Sequence, residues 1–504
     1  MARFLTQRNT ILLVAAVTLW RLYLSASLQL HPDEAYYWLW SHHLDASYFD
    51  HPPMVAYVIW LGTLFSQAEL WVRISGPVFV VAMSALMWRL ALQLYKSVPI
   101  AAGSVMLFNA YPLTMLGMIV MTPDVPVLMF WSLSVYIFWQ IIQSQKPWLW
   151  YALGASFGLA LLSKYTAILM IPCFFIYLLF TDERKWLITR YPYLSVAVGL
   201  AVFSPVIFWN LKHEGMSFLF QLKNGLSAEP IDLNKVGEYV AGQLLISGPV
   251  AWFVGVWAAF AGLVRRDKAT FFLICTAAPV ILFFGFTSLR KVANPNWPLF
   301  AYFAFSLLVT HYCLEGRSKW RRSLWSAALA TSLFLSLVAT MQARFGIIPL
   351  ARFSEELAAA DFTNAFYGWR ELGAELKLHA DQQPVVTPSH QLSAEIIYYT
   401  GGSVPAQTAA RSRPSQFVLW GQSQDPDRTR GFSVWTEADH LGPDGSYFPS
   451  LSSSRLFQTY RDGRVVRRYH IFEGDRRTPG DLKSNGQAPQ GVAPPPADAA
   501  SKTQ

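Results

Sequence analysis

Charged residues are scarce in this chain. Asp, Glu, Lys and Arg make up 14% of its 504 residues, whereas hydrophobic residues make up 53% and the mean hydropathy is +0.29. Soluble globular domains carry about 25% charged residues. The composition therefore excludes an ordinary soluble domain and indicates a polytopic membrane protein.

Cysteine is also scarce. Cys173, Cys275 and Cys313 each stand in an apolar run. None has the short spacing to a second cysteine, or to a pair of histidines, that a zinc site needs. We expect no disulfide and no cysteine-bound metal, and we predict that all three are core residues.

A concentrated basic arm is missing as well. The net charge is +9, but Lys and Arg occur in short clusters between apolar runs. Nucleic-acid-binding proteins concentrate such charge on one face, helix or arm. We therefore expect no nucleic-acid partner, and we interpret the clusters as signals of membrane orientation. The chain also shows no repeat of fixed period.

What the chain has instead is long apolar runs. A membrane-spanning helix needs about 20 apolar residues, and we predict about eleven transmembrane helices on this basis. The two runs around Lys164 are short, and they are either two spans or one broken helix. The runs cover residues 9–28, 71–90, 100–120, 124–142, 148–163, 165–180, 191–209, 240–263, 270–288, 298–314 and 322–341.

Short cytoplasmic loops hold an excess of Lys and Arg. With the N-terminus inside and alternating spans, every inside connection contains a cation, such as Arg8, Lys96 or Lys146. The same assignment puts the polar loop of residues 29–70 outside, together with Asp124, Lys164 and residues 290–298. Polar groups far apart in the sequence are thus predicted to share one outer face.

The loop after the first span is the most polar part of this face. Residues 31–54 read HPDEAYYWLWSHHLDASYFDHPPM, with four acids and four histidines. An unpaired carboxylate inside hydrocarbon costs roughly 3 kcal/mol, so the cluster should lie at the surface or line a cavity. The apolar residues 51–65 that follow are too short to span and favour an interfacial helix.

Several outer residues have the chemistry for transfer of a sugar from a lipid phosphate. A carboxylate is needed to orient or deprotonate the acceptor, and cations are needed for the departing phosphate. Asp33 and Glu34 are adjacent, so their side chains diverge on a helix and only one needs to face a cavity. The candidate acids and bases are Asp33, Glu34, Asp50 and Asp124, and the candidate phosphate partners are His51, Lys164, Arg290 and Lys291.

Each candidate also has a plain structural interpretation. Asp33, Glu34 or Asp124 would serve equally well as helix caps. Lys164 either snorkels to the surface or has a function within the membrane, and Arg290 and Lys291 would suit a solvated loop. Two adjacent histidines, His42 and His43, cannot easily share one metal ion, so we expect no required metal.

The long apolar runs end before residue 345, and the sequence pattern changes after it. Residues 353–379 have helical spacing with a Ser cap, and PVVTPS, AEIIYYT, SQFVLWG and RVVRRYHIFEG alternate like short strands. We predict a transmembrane domain over 1–345 and a small α/β domain over 346–478 on the outer side. The tail, 479–504, is rich in Pro, Ala, Gly and Gln and is predicted to be disordered.

The order of HPDEAYYW, YFDHPP, TPD, LSKYTAIL and KVANPNWP resembles the bacterial branch of the GT-C integral membrane glycosyltransferases. That branch is similar to protein O-mannosyltransferases, the aminoarabinose transferases of lipid A and the galacturonic acid transferases of lipopolysaccharide. The resemblance covers about residues 1–345. It implies a GT-C fold in the inner membrane, a polyprenyl-phosphate sugar donor, a periplasmic active site and inversion without an obligatory metal.

The resemblance also implies roles for individual residues. Asp33 matches the essential first-loop aspartate, followed in the same pattern by Glu34 and Tyr37, and Asp124 matches a second acidic position. The segment from Tyr48 to Pro53 resembles an element of the aminoarabinose enzymes in which a lysine handles donor phosphate. This chain has His51 at that position. The departure argues against aminoarabinose and assigns phosphate binding to His51, Lys164 or the Arg290–Lys291 pair.

We therefore predict a membrane glycosyltransferase that moves a sugar from a polyprenyl phosphate to lipid A, the lipopolysaccharide core, another envelope glycan or a protein. Two alternative functions remain for a chain with this sequence. A transporter or flippase of lipid-linked sugars would also have many spans, although the matching broken helices of transporter halves are not evident. An oligosaccharide ligase would differ in the length of the donor.

Overall fold

The structure is a computed structural model that describes residues 4–225, 229–265, 267–316, 318–379, 384–409, 413–420, 430–436, 450–461 and 463–475. The chain divides into two compact units, Met1–Phe366 and Tyr367–Gln504. The division falls after Phe366, whereas the predicted boundary follows residue 345. The predicted tail, 479–504, lies outside the described residues.

The first unit is built from α-helices joined by short turns. Its helices are α1 (Gln7–Ser27), α2 (Pro32–Ser41), α3 (Met54–Thr63), α4 (Glu69–Arg73), α5 (Ser75–Tyr95), α6 (Val98–Ala110), α7 (Asp124–Ser144), α8 (Leu149–Ser163), α9 (Met170–Leu179), α10 (Tyr191–Lys212), α11 (Met216–Gly225), α12 (Leu233–Ser247), α13 (Pro249–Arg265), α14 (Lys268–Thr287), α15 (Tyr302–Leu314), α16 (Lys319–Phe345) and α17 (Glu355–Ala359). A π-helical turn covers Leu113–Gly117, and 3₁₀ turns cover Tyr165–Leu169, Asp182–Ile188, Leu299–Ala301, Leu350–Arg352 and Phe362–Phe366.

Within the described residues, six helices are long and apolar enough to cross a membrane. The number rises to eight if each of two bent pairs is one span. One pair bends by 119° after Leu179 and the other by 106° after Ser247. The predicted count of about eleven is not confirmed, because several of the apolar runs form helices of 10–17 residues, shorter than the length a straight span needs.

Two breaks interrupt apolar runs that were predicted as spans. The run at 100–120 ends as α6 at Ala110 and continues as the π-helical turn. The two runs around Lys164 are α8 and the 3₁₀ turn that precedes α9, with Lys164 in an extended conformation between them. A helix that breaks near the end of a bundle frees backbone groups and side chains at that point. Both breaks lead into the site described below.

The second unit is a five-stranded mixed sheet covered by helices. Its strands are β1 (Val385–Thr387), β2 (Ala406–Thr408), β3 (Arg430–Thr436), β4 (Ser450–Arg461) and β5 (Arg464–Asp475), in the order β2-β1-β3-β5-β4. The strand β1 pairs in parallel with β2 and β3, whereas β5 is antiparallel to β3 and β4. The helices are α18 (Trp369–His379), α19 (His390–Thr400) and α20 (Gln416–Leu419).

The predicted small α/β domain is confirmed in kind, with two corrections. AEIIYYT was predicted as a strand but is the end of α19. Ser389 caps that helix through a 3.2 Å bond from the Leu392 amide, Gly401 ends it in a left-handed conformation, and Leu392 and Ile396 lie one turn apart in the apolar core. These end signals outweigh the strand propensity of its β-branched and aromatic residues.

The prediction of a strand at SQFVLWG was also wrong, because Gln416–Leu419 forms the helical turn α20. The predicted strands in PVVTPS and RVVRRYHIFEG are confirmed as β1 and β5. The predicted helix at 353–379 is divided into α17, a 3₁₀ turn and α18. Its Ser cap is confirmed, since the Ser354 hydroxyl accepts a 3.1 Å bond from the Leu357 amide.

A close contact between α5 and the segment before α7 makes a prediction for stability. A β-carbon at Gly76 would collide with the backbone carbonyl of Met118, whereas a β-carbon at Gly237 in α12 would meet nothing within 4 Å. We expect Gly76→Ala to destabilise the protein by about 1–3 kcal/mol through overpacking. Gly237→Ala should be neutral or stabilise by up to about 1 kcal/mol through helix propensity.

Thermal unfolding of the two purified variants in detergent measures both effects. The expected result is a lower unfolding temperature for Gly76→Ala alone. Equal unfolding temperatures would contradict the close approach of these two segments.

Candidate active site

The first turn of α2 fixes the two acids of the DE pair. Pro32 occupies the first helical position, where its missing N–H costs no hydrogen bond. The His31 side chain accepts a 3.3 Å bond from the Asp33 amide, and the Glu34 carboxylate accepts a 2.9 Å bond from the His31 amide. This reciprocal capping box holds the backbone of both acids in one conformation.

Glu34 is completely buried and forms an ion pair with Arg73 of α4. The two guanidinium bonds are 2.8 and 2.5 Å long, one to each carboxylate oxygen. The backbone amide of Met121 donates a third bond of 2.8 Å to the same carboxylate. With both oxygens occupied by fixed donors, Glu34 tethers α2 to the segment that leads into α7.

Arg73 is completely buried as well and binds the end of α1. Its guanidinium donates to the backbone carbonyls of Ser25, Leu28 and Gln29 at 3.2, 2.8 and 2.8 Å. Carbonyls at the C-terminal end of a helix carry partial negative charge and attract a cation. The Glu34–Arg73 pair therefore fastens four stretches together: the end of α1, the start of α2, α4 and the backbone at Met121.

Asp33 points away from this buried pair. Its side chain is 42% exposed, and its carboxylate lies 3.9 Å from the His31 ring nitrogen. The divergence expected for adjacent helical residues is observed, and Asp33 is the acid of the pair that a substrate can reach. Asp33 thus has the accessibility that a group acting on an acceptor requires.

Two further predicted residues of the first loop lie against α2, Asp50 buried and His51 half-buried. The Asp50 carboxylate accepts a 2.7 Å bond from the Tyr36 hydroxyl, and only 4% of the residue is exposed. His51 lies beside Tyr37, with ring centroids 6.4 Å apart. The double proline at Pro52 and Pro53 ends this loop, and α3 begins at the next residue.

Tyr48 packs inside the same loop and forms hydrogen bonds with its backbone. Its ring stacks on Trp40 with centroids 4.1 Å apart, and its hydroxyl lies 3.1 Å from the Trp40 carbonyl and accepts from the Asp45 amide. Burial raises the pKa of Tyr48 well above its ordinary value. These contacts fit a structural role, because the hydroxyl is already occupied by backbone groups.

A second polar cluster forms where α7 begins and α8 ends. The Lys164 ammonium donates a 2.6 Å bond to one oxygen of Asp124, and the Asn296 amide donates a 2.6 Å bond to the other. The side chains of Asp124 and Lys164 are each 11% exposed. The predicted convergence of Asp124 and Lys164 at one end of the helices is therefore observed.

The loop at 290–298 contributes Asn296 to this cluster rather than its cations. Arg290 is exposed, and its carbonyl accepts a 2.8 Å bond from Lys235, which also pairs with Glu229. Lys291 is half-buried on the same loop. The two predicted phosphate partners thus stand on the loop that reaches Asp124, but neither bonds to that carboxylate.

Three comparisons with known proteins agree with this architecture. The family model described as dolichyl-phosphate-mannose-protein mannosyltransferase matches residues 50–209. A lipid A galacturonosyltransferase of Rhizobium johnstonii, RgtD, is 26% identical over 408 residues, which cover 78% of this chain and 83% of that protein.

The third comparison is with solved structures. ArnT from Cupriavidus metallidurans bound to undecaprenyl phosphate aligns with a TM-score of 0.65 at 16% identity, over 93% of this chain and 98% of that one. The apo state of ArnT aligns with a TM-score of 0.62 at 16% identity, over 92% and 97%. The chain has the GT-C fold, and the comparisons together support a membrane glycosyltransferase. It is a multi-pass membrane protein and a transferase, as the sequence analysis predicted.

Two residues that hold the site of this glycosyltransferase together were not predicted from the sequence. Arg73 stands in the span predicted at 71–90, and Asn296 lies five residues beyond Lys291 in the KVANPNWP stretch. A charged residue at the start of an apolar run is a signal for Arg73, because ionisable groups in a span need a partner. Asn296 carries no comparable signal, since a neutral amide in a loop is common.

The geometry indicates different roles for Asp33 and Asp124 in the transferase. Both oxygens of Asp124 accept bonds, one from Lys164 and one from Asn296. These bonds stabilise the ionised carboxylate and oppose the transfer of a proton to it. A carboxylate held in this way orients the ammonium beside it. Asp33 is the more accessible acid. The arrangement therefore suits Asp33 for contact with a substrate and Asp124 for holding Lys164.

The Asn296 contact makes a testable prediction. Asn296→Ala removes one of the two donors to the Asp124 carboxylate, and a hydrogen bond to a charged group contributes about 1.5–3 kcal/mol. We expect turnover of the glycosyltransferase to fall about tenfold or more. Asn294→Ala is the matched control, because Asn294 is an exposed residue of the same loop. Equal turnover by the two variants would remove Asn296 from the site.

Proposed function

We propose that this glycosyltransferase moves a single sugar from a polyprenyl-phosphate donor to a lipopolysaccharide acceptor, with lipid A as the first candidate. The support for the acceptor is the similarity to a lipid A galacturonosyltransferase over most of both chains. The support for the donor is the similarity in fold to a protein whose structure holds undecaprenyl phosphate.

The observation that carries the proposal is the cluster of Asp124, Lys164 and Asn296 at the broken ends of apolar helices. An ammonium group held at the edge of a hydrophobic helix bundle suits a donor with a lipid tail and a phosphate head. The tail would lie among apolar helices, and the phosphate would meet the cation at their ends. Asp124 keeps Lys164 in place at a distance of 2.6 Å.

Asp33 is proposed as the residue that acts on the acceptor. Its carboxylate is accessible, and the capping box at His31 fixes the backbone that carries it. It would orient or deprotonate an acceptor hydroxyl as the bond between the sugar carbon and the phosphate oxygen breaks. If the acceptor is itself a phosphate, no base is needed, and Asp33 would act by positioning the acceptor.

Glu34 is proposed as a positioning residue for this reaction rather than as a group that touches the substrate. It was grouped with the catalytic acids from the sequence, but it is completely buried and both of its oxygens are occupied. Asp50, Tyr37 and Tyr48 are likewise proposed to shape the first loop. His51, Arg290 and Lys291 are left as candidate partners of the donor phosphate.

We propose that the site opens at the periplasmic face of the inner membrane, with the N-terminus in the cytoplasm. The support is the excess of Lys and Arg in the connections at the other end of the spans, such as Lys146, Lys185 and Lys268. Lys185 and Lys268 both pair with the buried Glu183, at 3.6 and 3.2 Å. The proposal assigns the charge of the departing phosphate to side chains and requires no metal.

The role of Asp33 is tested by Asp33→Asn, which keeps the size of the side chain but removes its charge. Loss of a general base costs about 10²–10⁴ in rate, so we expect transfer to fall at least about a hundredfold. Asp45→Asn is the matched control on the same loop. Its amide oxygen can still accept the 2.9 Å bond from the Trp209 ring nitrogen, and the only hydrogen bond it gives up among the described residues is the exposed local bond from the Ala46 amide.

The assay uses the purified full chain with radiolabelled undecaprenyl-phosphate-linked galacturonic acid or aminoarabinose and lipopolysaccharide, with and without a metal chelator. Transfer that depends on Asp33 and survives chelation supports the proposal. Normal transfer by Asp33→Asn at normal protein level would remove Asp33 from the mechanism. Transfer of diphosphate-linked oligosaccharides instead would identify a ligase.

A further inference from the structure

Arg21 is a charged residue in the interior of the first apolar helix. It lies in α1, six residues before the end of the helix at Ser27, and none of its surface is exposed. An ionisable side chain buried within a membrane span requires specific partners and often has a function. Neither the active site described above nor the proposed mechanism uses this residue.

The partners of Arg21 are all at the end of α6. Its guanidinium donates to the Asn109 side-chain oxygen at 3.1 Å, the Asn109 carbonyl at 3.4 Å and the Thr114 carbonyl at 2.9 Å. Each acceptor is a neutral amide oxygen. Arg21 therefore binds the backbone on both sides of the point where α6 ends.

The chain breaks sharply between these acceptors. α6 ends at Ala110, Tyr111 is extended, Pro112 offers no N–H, and the π-helical turn Leu113–Gly117 follows. A break of this kind frees carbonyl groups, and within a membrane the protein itself must satisfy them.

Side chains supply the missing donors. Arg21 donates to the carbonyls of Asn109 and Thr114, and the Ser336 hydroxyl donates to the Ala110 carbonyl at 2.6 Å. The single proton of the Thr114 hydroxyl is shared between the carbonyls of Phe108 and Tyr111. Among these donors Arg21 alone is charged, and it bonds on both sides of the break. A guanidinium fits two separated carbonyls because its N–H groups form a rigid fork.

The broken segment ends at the active site. Residues 111–123 run from the break to Asp124, and the Met121 amide near their far end donates to Glu34. The segment is thus held by Arg21 where it begins and by the Glu34–Arg73 pair where it ends. A shift at the break would move Asp124 relative to Lys164 and Asn296, because only nine residues lie between Thr114 and Asp124.

We propose that Arg21 is a positioning residue of the transferase, which acts by holding residues 111–123 so that Asp124 keeps its contacts with Lys164 and Asn296. It touches no reacting group. The proposal predicts that loss of Arg21 loosens this one segment and slows transfer, while the first loop keeps its structure.

Labelling of introduced cysteines tests this prediction without a substrate. Thr122→Cys reports on the segment, and Leu44→Cys, at a residue 45% exposed in the first loop, reports on the rest of that side. The three native cysteines are buried. In an Arg21→Met background we expect a maleimide to label position 122 about tenfold faster and position 44 at an unchanged rate.

Turnover is measured separately in chains without the added cysteines. Arg21→Met should lower turnover about tenfold to a hundredfold, because small displacements of catalytic groups have effects of that size. Arg21→Lys keeps the charge but loses the fork, so its turnover should lie between that of Arg21→Met and the unchanged chain. Thr340→Val is the matched control, since Thr340 bonds Trp20 next to Arg21 but makes no bond to the break.

The result that overturns the proposal is unchanged labelling at position 122, or faster labelling at positions 122 and 44 alike, which would indicate a role in the whole fold. If Arg21→Met does not accumulate, Arg21→Lys and Ser336→Ala decide the matter by the same criteria. Only the turnover assay rests on the proposed donor. A wrong donor would leave every variant inactive, and the labelling result would still stand.

Discussion

The buried ion pair between Glu34 and Arg73 is the contact on which the site depends. It joins the end of α1, the start of α2, α4 and the backbone at Met121 through hydrogen bonds of 2.5–3.2 Å. Removing the two charges of a buried pair from water costs free energy that offsets much of their Coulombic attraction. The pair therefore contributes mainly by fixing the geometry of the site, because each charge is stabilised only when the four stretches are assembled.

The consequence for chemistry is a separation of roles between neighbouring residues. The capping box at His31 sets the backbone, Glu34 points inward to Arg73, and Asp33 points outward. Because Glu34 also holds the segment that leads to Asp124, the accessible acid and the Asp124–Lys164 pair are parts of one framework. A shift in either would be transmitted to the other through Met121.

The membrane explains why breaks in the helices of the first unit are accompanied by polar side chains. Backbone groups inside hydrocarbon must be satisfied by the protein, so a break in a span needs local donors. The break before Lys164 places the ammonium against Asp124, and the break after Ala110 is bridged by Arg21 and Ser336. Lys164 stands at the break itself, whereas Arg21 and Ser336 reach the other break from within neighbouring helices.

Much of this could be predicted from the sequence, because charge inside apolar runs is conspicuous. The divergence of Asp33 and Glu34 follows from helical geometry, and the meeting of Asp124 with Lys164 follows from the alternation of spans. The span count of about eleven is not confirmed, because hydropathy alone does not reveal a break within an apolar run.

Other features could not be predicted, for physical reasons that differ. Asn296 reaches Asp124 from 172 residues away through a neutral side chain, and no local pattern marks such a contact. Arg73 gave a signal, but its partner could have been any acid of the first loop. AEIIYYT has strand propensity, yet the cap at Ser389 and the left-handed Gly401 make it a helix.

The most direct test of the central claim is a double-mutant cycle on the unfolding temperature of the purified chain. Glu34→Gln leaves a buried guanidinium without its counter-charge, and Arg73→Met leaves a buried carboxylate, so each should destabilise by about 3–5 kcal/mol. Removing both charges together should cost no more than the worse single change. A loss in the double variant equal to the sum of the two single losses would show that the two residues act independently, and would contradict the account.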